Sequence, residues 1–280
     1  MTEPLISVDE ALALHGKDHV VFVDASFHLP TSGRDAAAEF EQSHIAGARW
    51  FDINTIADPK SDQPHTMPKA PLFQRHMQRL GIGSDDNLII YDTSPFYSAA
   101  RAWFMLRYFG HAAVQVLNGG FKAWQDAGGP LERGASPEFS GSRFTVGDPV
   151  GTDGVRSLSA MKKHVETGNR QILDARSPGR FNGSEPEPRA GLASGHMPGA
   201  VNIPVSTLID PETGLFKDQQ NLAAVFAGLD QDKPIVTTCG SGVTACGLAL
   251  GLALIGREDV AIYDGSWSEW GSRADCPVAL

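Results

Sequence analysis

The sequence predicts an α/β protein of two tandem domains, each a mainly parallel sheet flanked by helices. Three observations carry this expectation. The chain has 280 residues, 41% of them hydrophobic, enough for two cores at roughly 100–200 residues per domain. Similar segments recur in the same order in its two halves. Within each half, short β-branched runs alternate with helical patterns, which is the signature of a parallel α/β sheet.

In chain order, Ser7-Val-Asp-Glu10 has capping-box spacing before Ala11–Leu14, and Gly16 is placed to stop that helix. Val20–Val23, Leu88–Tyr91 and Val114–Leu117 read as buried strands of the first half. Ile172–Leu173, Ile235–Thr238 and Val260–Tyr263 read so in the second. The repeat pairs Asp24 with Asp174 and His44 with His196, since Val20-Val-Phe-Val-Asp24 and His44-Ile-Ala-Gly-Ala48 return as Gln171-Ile-Leu-Asp174 and His196-Met-Pro-Gly-Ala200. It also pairs Asp92 with Cys239, and Asn118-Gly-Gly-Phe-Lys-Ala-Trp124 with Asp264-Gly-Ser-Trp-Ser-Glu-Trp270. The Gly-, Ser- and Pro-rich stretch from Gly134 to Gly154 is the natural linker, so the expected domains are 1–140 and 141–280.

Composition excludes several function classes. A formal charge of −10 with no run of Lys and Arg argues against nucleic acid, because binding by counterion release needs clustered cations. The first ten residues lack a basic segment followed by an apolar one, so the expected location is the cytoplasm. The longest apolar run, Ala245 to Ile255, is too short to span a bilayer and reads as a buried helix. Cys239, Cys246 and Cys276 show neither a disulfide framework nor ribbon spacing, and the histidines show no ligand spacing, so no metal or cofactor is implied.

The chemistry concentrates where the strand Ile235–Thr238 runs into Cys239-Gly240-Ser241-Gly242-Val243-Thr244 and then an apolar helix. Two glycines let the backbone turn so that successive N–H groups, among them those of Gly240, Gly242, Val243 and Thr244, face the sulfur. The helix N-terminus adds partial positive charge, and both features favour negative charge on sulfur. The alternative is an inert cysteine at a strand end. Cys246 lies inside the apolar helix and reads as core; Cys276 precedes Pro277 and carries no assignment.

The loop Cys239-Gly-Ser-Gly-Val-Thr-Ala245 resembles the active-site loop of 3-mercaptopyruvate sulfurtransferases. The tandem repeat and the tail Tyr263-Asp-Gly-Ser-Trp-Ser-Glu-Trp270 resemble the two-domain rhodanese superfamily as a whole. The resemblance implies two rhodanese-like domains with only the second catalytic, and Asp92 in place of a cysteine agrees, since a carboxylate cannot carry a persulfide. It implies that Arg180 and Arg189 hold the donor's carboxylate and carbonyl, against a plainer reading in which they pair with Glu185 and Glu187 at the surface. It further implies that a first-domain histidine and aspartate handle protons beside Ser241. His65 matches the histidine, whose plainer reading is a loop residue near Pro64 and Pro68; the aspartate position falls on Asn54, an amide that can orient His65 but stabilises an imidazolium less.

The expected reaction moves sulfur from 3-mercaptopyruvate through a Cys239 persulfide to a thiol, for instance on a small thioredoxin-like protein, or to cyanide, and releases pyruvate. Related thiosulfate sulfurtransferases carry basic residues where this chain has the neutral Gly240-Ser241, which weakens the alternative of thiosulfate as donor. A phosphatase would need arginine as the sixth residue after the cysteine, where Ala245 stands. A sulfur-carrying or redox-sensing module without turnover is the non-enzymatic alternative. Asp24, Asp174, His44 and His196 recur in both halves and are expected to serve the fold; Arg101 is expected to pair with Asp92, and Trp267 and Trp270 to be core.

Overall fold

The computed structural model describes residues 3–95, 97–137, 139 and 141–280. The chain divides into two compact units. The first comprises Met1–Pro59, Pro68–Val150 and Pro211–Leu215; the second comprises Lys60–Met67, Gly151–Asp210 and Phe216–Leu280. The main division thus falls between Val150 and Gly151. Each unit also takes a short segment from the other half of the sequence.

The first unit runs β1 (Leu5–Ile6), α1 (Val8–Leu14), β2 (Val20–Asp24), α2 (Ala36–Gln42), β3 (His44–Ile45) and β4 (Arg49–Trp50), then α3 (Ala70–Arg79), β5 (Asn87–Tyr91), α4 (Ala99–Tyr108), β6 (Val114–Leu117), α5 (Gly120–Asp126) and β7 (Leu131–Glu132). Ser7 caps α1 through the expected reciprocal box with Glu10, and Gly16 follows it at φ 75°. Five strands pair in the order β1-β6-β5-β2-β4, every pair parallel, while β3 and β7 form a separate antiparallel pair.

The second unit runs β8 (Gly154–Arg156), α6 (Leu158–Thr167), β9 (Gln171–Asp174), α7 (Pro178–Phe181), β10 (Ala200–Asn202), α8 (Gln219–Val225), β11 (Ile235–Thr238), α9 (Ala245–Leu254), β12 (Val260–Tyr263) and α10 (Ser266–Trp270). Its sheet, read β8-β12-β11-β9-β10, reproduces the first strand for strand and is again parallel. An antiparallel bridge between His196 and Ala279 stands where the first unit has its β3–β7 pair.

The central strands are buried on both faces, as crossover helices on each side require, and therefore read as runs of apolar and β-branched residues, Leu88–Tyr91 and Ile235–Thr238, without alternation. Trp124 closes the apolar core of the first unit, and Trp267 with Trp270 that of the second; all three are fully buried. Recurrence of His44 and His196 has a structural basis. Each ring stacks on a phenylalanine, Phe40 or Phe181, at 3.9 and 3.8 Å between centroids, and Nδ1 bonds that phenylalanine's own carbonyl. Asp24 and Asp174 recur because each accepts the backbone N–H two residues on, turning the chain at the strand end.

Candidate active site

The site of interest lies in the second unit, at the C-terminal end of β11, where parallel α/β sheets place their functional loops. Residues 240–244 connect Cys239 to α9, and Gly242 takes φ 79°, a conformation a side chain would strain. A second helix start fixes the other face of this loop. Trp267 and Ser268, in the first turn of α10, donate their backbone N–H groups to the carbonyls of Cys239 and Gly240, both at 2.9 Å, and Ser268 Oγ donates to Gly240 at 2.7 Å. Because the peptides are trans, carbonyl and N–H point oppositely, so the N–H groups of Gly240 and Ser241 face away from α10. Among the described residues the amides of Gly240, Ser241, Val243 and Thr244 have no hydrogen-bonded oxygen acceptor. A cysteine sits among donors that await an anion.

Cys239 itself is 2% exposed, and its N–H donates to Ser266 Oγ at 3.3 Å. Cys246, in the first turn of α9, is fully buried and directs its thiol to the Gly242 carbonyl, and Cys276 is packed into the core of the unit, where burial raises its thiol pKa. All three thiols are free of disulfides.

The strap from 178 to 189 delivers cations to the loop. Ser177 caps the short α7 by accepting the Arg180 N–H, and Pro178 starts it, so Arg180 projects from its last turn. A Cβ at Gly240 would lie 2.8 Å from Arg180 Nη2, so the guanidinium rests directly on the loop where the side chain is missing. Arg180 is held there by Glu187, with Nε at 3.2 Å and Nη2 at 2.5 Å from its two oxygens. Glu187 in turn binds Arg176 at 2.6 Å, and Arg176 forks onto Asp174 and stacks 4.3 Å over Trp267. Burial opposes the charge of Arg176, yet Asp174 and Glu187 outweigh it and raise its pKa. The anticipated surface pairing is thus half present: Glu187 does bind Arg180, but it is a buried group, whereas the exposed Glu185 accepts from Ser177.

Arg189 has no hydrogen-bond or ion-pair partner among the described residues. Burial lowers its pKa and Arg180 acts in the same sense, while Cys239 and Glu187 oppose them. The four side chains therefore share one electrostatic neighbourhood.

His65 is buried at φ 60°, with Nδ1 3.0 Å from Ser241 Oγ. One expectation needs correction: His65 belongs to 60–67, a segment of the second unit, although sequence position assigned it to the first domain. That segment is fastened by Asp264, whose carboxylate accepts the Met67 N–H. Sequence reasoning missed Asp264 because it lies in the matched tail motif opposite Asn118 and carries no motif of its own. Asn54 is an exposed residue of the first unit, its N–H turned onto Asp52. The expected pair between Asp92 and Arg101 is not formed, since the Asp92 carboxylate accepts from Ala99 N–H at 2.6 Å and Ser98 Oγ at 3.2 Å instead. Among the described residues no group of three or more His, Cys, Asp and Glu is arranged to hold a metal, and no helix is long and apolar enough to cross a membrane.

Comparison with known proteins places the whole chain among relatives. The family described as "Rhodanese-like domain" matches twice, over residues 7–127 and 157–273. The human 3-mercaptopyruvate sulfurtransferase is 44% identical over 256 residues, covering 90% of this chain and 85% of that protein. The protein of that name from Escherichia coli K12 is 41% identical over 271 residues, covering 95% of both. The crystal structure of SseA from Escherichia coli, described as a 3-mercaptopyruvate sulfotransferase of "Rhodanese" fold, superposes with a TM-score of 0.85 at 35% identity, covering 95% of this chain and 99% of that one.

Proposed function

The chain belongs to the rhodanese-like domain family, and from that premise we propose that it is a sulfurtransferase acting on 3-mercaptopyruvate, with the second unit catalytic and Cys239 as nucleophile. The single observation that carries the residue assignment is the loop around Cys239 in which the amides of Gly240, Ser241, Val243 and Thr244 have no oxygen acceptor among the described residues, with two arginine side chains in its electrostatic neighbourhood.

The Cys239 thiolate attacks the donor's sulfur, forming an S–S bond as the C–S bond breaks, and the electron pair leaves with carbon as the enolate of pyruvate. A proton then converts the enolate to pyruvate, and Cys239 keeps the sulfur as a persulfide. The amides of Gly240, Ser241, Gly242, Val243 and Thr244 face the charge that passes from Cys239 to the outer sulfur, acting as an oxyanion hole does. Arg180 and Arg189 receive the donor's carboxylate and ketone, for which planar forks suit better than ammonium groups. Ser241 and His65, hydrogen-bonded to each other, hold the proton that the enolate takes up. A second thiolate, on a small molecule or a thioredoxin-like protein, then attacks the outer sulfur and frees Cys239; cyanide substitutes in vitro. Three cysteines outside any disulfide suit a reducing compartment, and we place the reaction in the cytoplasm.

Intact-mass measurement after adding 3-mercaptopyruvate without acceptor tests the proposal. The mass is expected to rise by one sulfur atom on the wild type and not on Cys239→Ser; an unchanged wild-type mass overturns it. Repeated turnover on adding a thiol separates an enzyme from a sulfur-carrying module, and thiosulfate in the same assay ranks the rival donor.

A further inference from the structure

We infer that Glu187 determines which donors the site accepts, by setting the number of uncompensated positive charges beside Cys239 to one; the inference rests on the sulfurtransferase reading above. Asp174, Arg176, Glu187 and Arg180 form a continuous chain of ion pairs from the end of β9 to the cysteine loop, with N to O distances of 2.7, 2.6 and 2.5 Å. Two acids and two arginines cancel. Arg180 therefore reaches the loop as a hydrogen-bonding fork whose charge is already matched, and its Nη1 is the nitrogen that Glu187 leaves unbonded. Arg189 is the cation left over.

This count suits a donor with one carboxylate. A compact dianion such as thiosulfate presents a second charge, which the strap, with Arg180 matched by Glu187, does not meet with a second free cation among the described residues, and Gly240 and Ser241 offer none. Glu187 is 3% exposed and cannot be relieved by solvent, so its charge is felt at short range by both arginines. Besides the lack of a cation on Gly240 and Ser241, a buried carboxylate outside the loop thus selects the donor by neutralising an arginine that the loop contacts.

The test compares kcat/KM for thiosulfate and 3-mercaptopyruvate, which reports only the first half-reaction, so the acceptor cancels. Glu187→Gln adds one net positive charge and is expected to raise the thiosulfate to mercaptopyruvate ratio about tenfold or more. Glu185→Gln makes the same change of overall charge on the same strap away from the arginines, and should leave the ratio within about twofold. Glu187→Asp keeps the charge on a shorter arm, so both activities fall while the ratio holds within about threefold. An unchanged ratio in a Glu187→Gln protein that melts like the wild type overturns the inference, as does an equal shift in Glu185→Gln. Should Glu187→Gln fail to fold, a tenfold change of ratio in Glu187→Asp overturns it and a retained ratio supports it. Calorimetric binding of inorganic sulfate, a dianion that needs no turnover, should tighten about tenfold in Glu187→Gln; this arm still decides the inference if the wild type turns over neither donor, which is the outcome that defeats the functional reading instead.

Discussion

The loops after β5 and β11 occupy the same place in two sheets of identical strand order, yet they treat a helix N-terminus in opposite ways. In the first unit Asp92 fills it: the carboxylate accepts the Ala99 N–H at the start of α4, and Phe121 N–H binds the Asp92 carbonyl just as Trp267 N–H binds that of Cys239. In the second unit the corresponding amides stay open and the residue at the turn is a thiol. The arginine position is inverted too. Aligned through the Phe–His stacks, Glu39 stands where Arg180 does, and it is clamped by Arg34 at 2.7 Å where Arg180 is clamped by Glu187. One fold thus makes either a sealed cluster of backbone donors or an open one, according to whether its own side chain supplies the acceptor.

The sharpest way to break this comparison is to exchange the two turn residues. Cys239→Ser should lower turnover by at least about a thousandfold, and adding Asp92→Cys should not restore it, because the first unit has no arginine at the Glu39 position. Cys246→Ser and Cys276→Ser should retain most activity. Recovered sulfur transfer in the double variant shows that the framework alone makes the site.

The next effect is smaller. Arg180→Lys and Arg189→Lys should each cost one to two decades in kcat/KM, for a charged hydrogen bond of roughly 1.5–3 kcal/mol, although the charge survives. Melting temperature separates them from structural damage, and losses below about threefold remove the fork from the mechanism. His65→Ala should reduce kcat about tenfold and flatten its pH dependence, and Asp264→Ala less, because it only loosens the segment that carries His65. Kinetics of the double variant decide: a combined loss no worse than that of His65→Ala alone supports Asp264 acting through His65, whereas additive losses do not.

The smallest effect concerns stability and the sealed loop. Burial raises Asp92 from 3.8 to about 7, with Ser98 and Ala99 opposing, so the folded chain keeps a proton that the unfolded chain releases. A raised folded value means that this contribution is fully present below 3.8 and is lost as pH rises through about 7. Asp92→Asn keeps an oxygen for Ala99 without the charge. It should therefore stabilise the protein by about 1–2 kcal/mol at pH 8 and hardly at all at pH 4, read by denaturant titration at both. Equal effects at the two pH values would show that the carboxylate does not titrate in this range.

Much of the fold was legible because strands buried on both faces carry apolar and β-branched residues without alternation: Leu88–Tyr91 and Ile235–Thr238 appear in the sequence at nearly their true limits. The edge strands Leu5–Ile6 and Ala200–Asn202 are too short to show a period. The cysteine loop was legible because its glycines, the strand before it and the helix after it are contiguous. What stayed hidden was whatever depends on distant residues meeting: the membership of 60–67 in the second unit, the Asp264 anchor, and the burial of Glu187 between two arginines.

The missing Cβ of Gly240 has a consequence for how such a site can change. Because the tip of Arg180 lies where a Cβ at position 240 would stand, a side chain there meets the guanidinium, and the flexible arginine end is the group that gives way. Positions 240 and 180 are therefore coupled: a substitution at 240 adds a group and displaces the Arg180 guanidinium, so its effect depends on what stands at 180. A mutational library that varies the loop while holding Arg180 fixed therefore leaves out the combinations in which the two positions are fitted to each other, and varying both together samples them.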